Sequence, residues 1–238
     1  MKLDILAIGA HPDDIELSCC GTILKHISLG KKCGILDLTQ GELGTRGNAE
    51  LRLVEAENAA KILGVSVRDN LKMKDVFFKN DQEHQLEIIK KIREYQPEII
   101  LCNAVTDRHP DHGRASQLVS EACYYSGLIR VVTELNGTQQ VAWRPKAIYH
   151  YIQDRQLKPD LAVDVTAFVD KKMEAIQAFK SQFYDPNSTE PVSPISGKNF
   201  LDVIKGKMAV VGRDIGVDFS EGFTVERTIG IDNLLDIK

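Results

Sequence analysis

Several scarcities narrow the class of this chain. Its five cysteines, Cys19, Cys20, Cys33, Cys102 and Cys123, are odd in number and follow neither a zinc nor a disulfide spacing, so buried reduced thiols and a cytoplasmic setting are expected. Positive charge is not in excess: 30 basic residues stand against 34 acids, a formal net charge of −4, which argues against a nucleic-acid partner. No uninterrupted apolar run approaches the roughly 18 residues of a membrane span. A strand pattern begins at Leu3, so no secretory leader is expected. Low-complexity segments and a clear linker are also missing, and 238 residues suffice for a sizeable core, so one domain over 1–238 is predicted.

What is present is an alternation. "LDILAIGA" from Leu3, "KCGILDLT" from Lys32, a weaker "NLKM" near residue 70 and "PEIILCNA" from Pro97 read as strands. Between them lie helical patterns: one after the first strand closed by Gly30, one that starts near Asn48 and stops at Gly64, and one rich in Ile and Lys that runs to Tyr95. The second of these is expected to bury Leu53, Ala56, Ala60 and Leu63. This order predicts an α/β, Rossmann-like fold: a mostly parallel, doubly wound sheet flanked by helices. The second half is less regular. "KAIYHYI", "LAVDV" and "GFTVERTIG" read as strands, "DKKMEAIQAFKSQF" and "NFLDVIKGKMAVVGRDIG" as helices, and the run from Pro186 to Gly197 as a long loop.

One motif occurs nearly twice. "HPDD" (His11 to Asp14) follows the first strand and "HPDH" (His109 to His112) follows the fourth. Ligands in open parallel sheets bind beyond the carboxyl ends of the strands, so both motifs can face one crevice. Proline prefers the first helical position, which puts His11 at a strand–helix junction and Asp14 in the first turn, pointing to the same place. His109 and His112 repeat that spacing. A catalytic zinc site needs about three protein ligands and an open position; His11, Asp14 and His112 supply them. Asp13 and His109 remain, one to act as a base and the other to donate to a developing oxyanion. Two His and one carboxylate suit Zn²⁺, and Fe²⁺ fits the same set. His26 and His84 fall in polar helical surroundings and are expected to be solvated; His150, in a Tyr-His-Tyr strand, is expected to face solvent or a subunit contact.

These residues, "AHPDD" from Ala10, "HPDH" from His109 and the intervening "GELGTRGNAELRLVEAENAAKILG", resemble the LmbE-like, PIG-L zinc deacetylases, which remove an acetyl group from N-acetylglucosaminyl compounds. The Gly-rich loop and helix are most similar to the branch that acts on N-acetylglucosaminyl malate in bacillithiol biosynthesis. The resemblance implies metal binding by His11, Asp14 and His112, Asp13 as general base and a protonated His109 on the tetrahedral intermediate. It implies that Asp111 orients His109 or a metal ligand. Arg52 would face the substrate, with Arg46 and Arg108 as further partners for the malate carboxylates. It also implies an amino-sugar substrate and a homo-oligomer, up to a hexamer. Tyr184 is as well explained by packing as by a site role. Two rivals remain: a metal hydrolase for another sugar or thiol conjugate, and a non-catalytic sugar- or nucleotide-binding module. The second is weakened because HPDD, rather than G-x-G-x-x-G, follows the first strand.

Overall fold

The alternation closes into a seven-stranded sheet in the computed structural model, which describes residues 1–236. Residues 237 and 238 of the expected domain lie outside the described residues. The strands are β1 (Ile5–Gly9), β2 (Cys33–Thr39), β3 (Val67–Met73), β4 (Ile99–Cys102), β7 (Ala147–Tyr151), β8 (Leu161–Asp164) and β9 (Ser220–Val225), in the order β3-β2-β1-β4-β7-β9-β8. The first five in that order are parallel; β9 runs antiparallel to both neighbours. Parallel strands are covered on both faces, which is why β1 and β2 read as unbroken apolar runs and are buried throughout.

Strand alternation divides the core. Leu6, Ile8, Leu36 and Ile100 face the helices α4 (Gln82–Tyr95) and α5 (Pro110–Ser126). Ile5, Ala7, Ile35 and Leu101 face the other way, onto α1 (Asp14–Ser18) and α2 (Cys20–Ser28). Beyond them on that side, α3 (Ala49–Leu63), α6 (Val169–Gln177) and α7 (Phe200–Asp214) share a third cluster around Phe179 and Met208. The five cysteines are free and buried, as expected.

Local chemistry sets the element ends. The Asn48 side chain accepts from Leu51 N at 2.9 Å, and Gly64 closes α3 at φ +74°, where a side chain would be strained. The buried stripe of α3 is shifted from the expected one, to Arg52, Glu55, Ala56, Ala59 and Leu63, because two charged residues on it have partners. The single helix expected after HPDD is broken at Cys19. The Glu221 carboxylate of β9 accepts from Gly21 N at 2.9 Å and Thr22 N at 2.6 Å, tying down the otherwise orphaned donors of the second helix. Lys172 of α6 balances that acid at 2.8 Å and donates to Leu17 O, the last turn of the first helix. A Cβ on Gly21 would meet Glu221 Oε1 at 2.8 Å, so the glycine is what lets the carboxylate in. A hairpin, β5 (Glu134–Leu135) and β6 (Thr138–Gln139), turns on Asn136–Gly137, both at positive φ. The helix expected to reach Phe183 ends at Gln177. Among the described residues no helix is long and apolar enough to cross a membrane.

Candidate active site

Because β1 and β4 are hydrogen-bonded neighbours, their carboxyl ends bring the two echoed motifs side by side. The rings of His11, His109 and His112 lie with centroids 4.8 to 5.7 Å apart, and their nitrogens fall within 4.8 Å of one another. Asp14 stands among them: its Oδ1 is 3.1 Å from His112 Nε2 and its Oδ2 is 3.7 Å from His11 Nδ1.

The other nitrogen of each ring shows which lone pairs are available, with tautomers assigned from hydrogen-bond partners. His11 Nε2 faces Asp75 Oδ1 at 3.0 Å and Asp111 Oδ2 at 3.3 Å, so it carries a hydrogen and leaves Nδ1 toward Asp14. His112 Nδ1 faces Asp107 Oδ2 at 2.6 Å, which leaves Nε2 toward Asp14. A carboxylate on the far ring nitrogen is the usual support of a metal-ligating histidine. His109 is different: its Nδ1 accepts from the Asp111 backbone N–H at 3.3 Å, so its hydrogen sits on Nε2 and it offers a donor there. The donor chemistry therefore fits a divalent cation held by His11 Nδ1, Asp14 and His112 Nε2.

Electrostatics follow from the packing. Burial works against charge on His112, yet Asp14 and Asp107 outweigh it and push its pKa up to about 9. Burial likewise opposes charge on His11, and Asp111, Asp14 and Asp75 together hold its pKa well above the ordinary value. Asp14 is kept low against its burial by the two histidines. His109 is lowered, first by burial and then by repulsion from His11 and His112, which works against the protonated form that the resemblance implies. Asp13 sits at φ +106°, a strained position for a non-glycine residue, at the start of α1. Burial raises its carboxyl to about 7, against the pull of the Arg52 guanidinium 2.9 Å away.

The expected residues are distributed as follows. Asp111 performs two tasks with different atoms, its carboxylate on His11 and its backbone N–H on His109. Arg52 is 4% exposed and turns inward, donating to Asp13, to Pro12 O and, at 3.5 Å, to Gly41 O. A side chain on Gly41 would collide with that guanidinium. Arg46, also buried, joins two loops by donating to Phe183 O at 2.8 Å and Ser188 Oγ at 2.5 Å. Arg108 is exposed near the His109 turn and pairs with Asp154 at 2.5 Å. Tyr184 is half exposed. His150 is buried, not solvent-facing: Asn103 O, 2.9 Å from Nδ1, and Glu226, 2.9 Å from Nε2, draw it under the strand tips.

Four residues were missed. Asp75 and Asp107 lie in loops with no spacing to betray them. Asn103 and Gln153 follow the last apolar residues of β4 and β7, a position the strand-end rule could have flagged. Asn103 Nδ2 donates to Asp14 Oδ2 and to Gln153 Oε1, both at 3.0 Å, and Gln153 Nε2 donates to Asp14 Oδ1 at 3.1 Å.

Comparison with known proteins gives a consistent family. Residues 6–123 match the family model PIG-L, described as GlcNAc-PI de-N-acetylase. The chain is 31% identical over 194 residues to diacetylchitobiose deacetylase of Thermococcus kodakarensis, covering 75% of this chain and 70% of that protein. It is 27% identical over 198 residues to the probable N-acetyl-alpha-D-glucosaminyl L-malate deacetylase 2 of Bacillus anthracis, covering 75% and 81%. The crystal structure of the conserved protein TT1542 from Thermus thermophilus superposes with a TM-score of 0.85 at 31% identity, covering 97% of this chain and 98% of that one.

Proposed function

The chain belongs to the PIG-L (LmbE-like) deacetylase family, and from that premise we propose that it is a metal-dependent hydrolase that releases acetate from N-acetylglucosaminyl malate. The observation that carries the reading is the convergence of His11 Nδ1 and His112 Nε2 on Asp14, beside a buried Asp13 raised to about 7. Zn²⁺, or Fe²⁺ in the same ligand set, would supply Lewis acidity to a water and to the acetyl carbonyl. Asp13 takes a proton from the attacking water, a task suited to a carboxyl poised near neutrality. His109 donates from Nε2 to the oxygen on which negative charge develops. The proton held by Asp13 then passes to the leaving sugar nitrogen. Arg52 holds Asp13 and its strained backbone in place.

The choice of malate conjugate rests on the Bacillus relative and on Arg108, the exposed one of the three arginines expected to meet carboxylates. The similarity to a diacetylchitobiose deacetylase supports a second reading, an acetylated disaccharide. Amine release from N-acetylglucosaminyl malate, diacetylchitobiose and plain N-acetylglucosamine separates them. The expected ranking by kcat/KM places the malate conjugate first, with Arg108→Ala narrowing its lead; a first place for diacetylchitobiose overturns the malate assignment, and no turnover on any of the three by the metal-loaded protein overturns the deacetylase reading.

A further inference from the structure

A cavity of about 560 Å³ opens between α5, the start of β7 and the chain leaving β9. Ala147, the first residue of β7, is in register with Ile99 and through it with Ile5, so the cavity lies toward the opposite end of the sheet from His11 and His112. Cys123 and Ile148 provide apolar surface, and Tyr124 contributes an aromatic wall. Three cations line it, Arg144, Lys146 and Arg227, with two acids, Glu121 and Glu226.

The charges are not equally engaged. Glu226 holds His150 at 2.9 Å, and Glu121 accepts from Asn80 at 2.7 Å and Gln85 at 2.9 Å. Lys146 pairs with Glu98 at 2.9 Å. The two guanidiniums are bonded to main-chain oxygens instead: Arg144 donates to Tyr124 O at 2.9 Å, and Arg227 to Lys146 O at 2.8 Å. Among the described residues neither arginine meets a carboxylate. The Arg144 guanidinium also lies 4.4 Å over the Tyr124 ring, which orients its fork and leaves N–H groups for a ligand.

We propose that this cavity is a second small-molecule site, built for an organic anion with a flat apolar body, such as a carboxylate or phosphate ester on an aromatic ring. A planar guanidinium matches either head group through paired N–H donors. Tyr124 and the Cys123–Ile148 surface take the ring. The volume lies within the roughly 300–1,000 Å³ usual for ligand sites. The assignment does not depend on what the crevice at His11 and His112 hydrolyses.

The chain carries its own reporter. Trp143, its single tryptophan, immediately precedes Arg144 and is held by an Nε1–H bond to Pro97 O at 2.7 Å. Benzoate and phenyl phosphate are titrated into the metal-loaded protein and Trp143 emission is followed, with benzyl alcohol and inorganic phosphate as controls. The expected result is a saturable change with an aromatic anion, with both controls weaker by at least about tenfold. The order of benzoate and phenyl phosphate identifies the preferred head group. Arg144→Gln and Arg227→Gln each weaken binding by about tenfold, as loss of a charge-assisted bond predicts. Arg144→Lys recovers part of it, and His112→Ala binds as the wild type does. Arg227 donates at the exposed rim, so its variant tests the site even if Arg144→Gln perturbs α5. Equal binding by Arg227→Gln, loss of binding in His112→Ala, or the absence of saturable binding overturns the proposal. Amide-exchange protection of 120–125 and 225–230 that vanishes on dilution of an oligomer also overturns it, since the groove would then be filled by a second copy.

Discussion

Asp13 concentrates the chemistry in one side chain, and its surroundings give signed predictions. Burial raises its pKa to about 7, the Arg52 charge is the strongest influence lowering it, and Asp14, His11 and Glu16 add smaller ones of both signs. A bound cation lowers it further, so the acid limb of kcat is expected at or below about pH 7, with activity rising as Asp13 loses its proton. Arg52→Ala removes a lowering influence and moves that limb to higher pH; a pH–rate profile checks it, and an unmoved limb contradicts the coupling. The same variant should depress all three substrates alike, because Arg52 touches Asp13 rather than open solvent. His112 offers a second test. With its pKa near 9, the metal-free ring is protonated at neutral pH, and a cation bound at Nε2 must replace that proton. Calorimetric titration of Zn²⁺ in buffers of different ionisation enthalpy should therefore show proton release, reduced above pH 9; buffer-independent heats contradict it. Residue by residue, what the sequence made legible was the echo of two short motifs. Arg46 and Arg52 were legible as charges near a glycine-rich loop, but not as inward-facing ones, because their acceptors lie far along the chain or on main-chain carbonyls.

At the level of elements, the tips of the parallel strands do most of the positioning. Asn103 at the end of β4 and Gln153 beyond β7 clamp Asp14 from two sides, each through one hydrogen bond, and a third bond joins the two amides. Such supports typically alter metal affinity about 10- to 100-fold, so Gln153→Ala should weaken Zn²⁺ retention against a chelator by that order while the thermal midpoint changes little. Unchanged retention would leave the clamp without a role. Strands and helices in the first half were legible because apolar runs and capping residues are local signals, as at Asn48 and Gly64. The break at Cys19 was not, because its cause is Glu221, 200 residues from Gly21. Removing one partner of a buried pair costs about 3–5 kcal/mol, and Lys172→Met is expected to lose that much in urea unfolding. A loss below about 1 kcal/mol, typical of a surface pair, would mean that Lys172 does not carry the junction of the two short helices.

For the whole molecule, the order β3-β2-β1-β4-β7 makes neighbours of two strands separated by more than 80 residues of chain. The doubly wound class was readable from alternation alone, and it is this adjacency that turns a repeated tetrapeptide into one crevice. The antiparallel direction of β9 and the short hairpin were less readable, since "GFTVERTIG" reads as a strand without showing which way it pairs, and a two-residue strand carries almost no pattern. The central claim, that the joined strand tips form a metal site served by Asp13, is tested most directly by measuring amine release from N-acetylglucosaminyl malate by metal-loaded wild-type and Asp13→Asn proteins, with bound metal determined on the same samples. The account predicts equal metal in both and a loss in turnover of about 10²–10⁴-fold in the variant; turnover near the wild-type level with metal retained would contradict it.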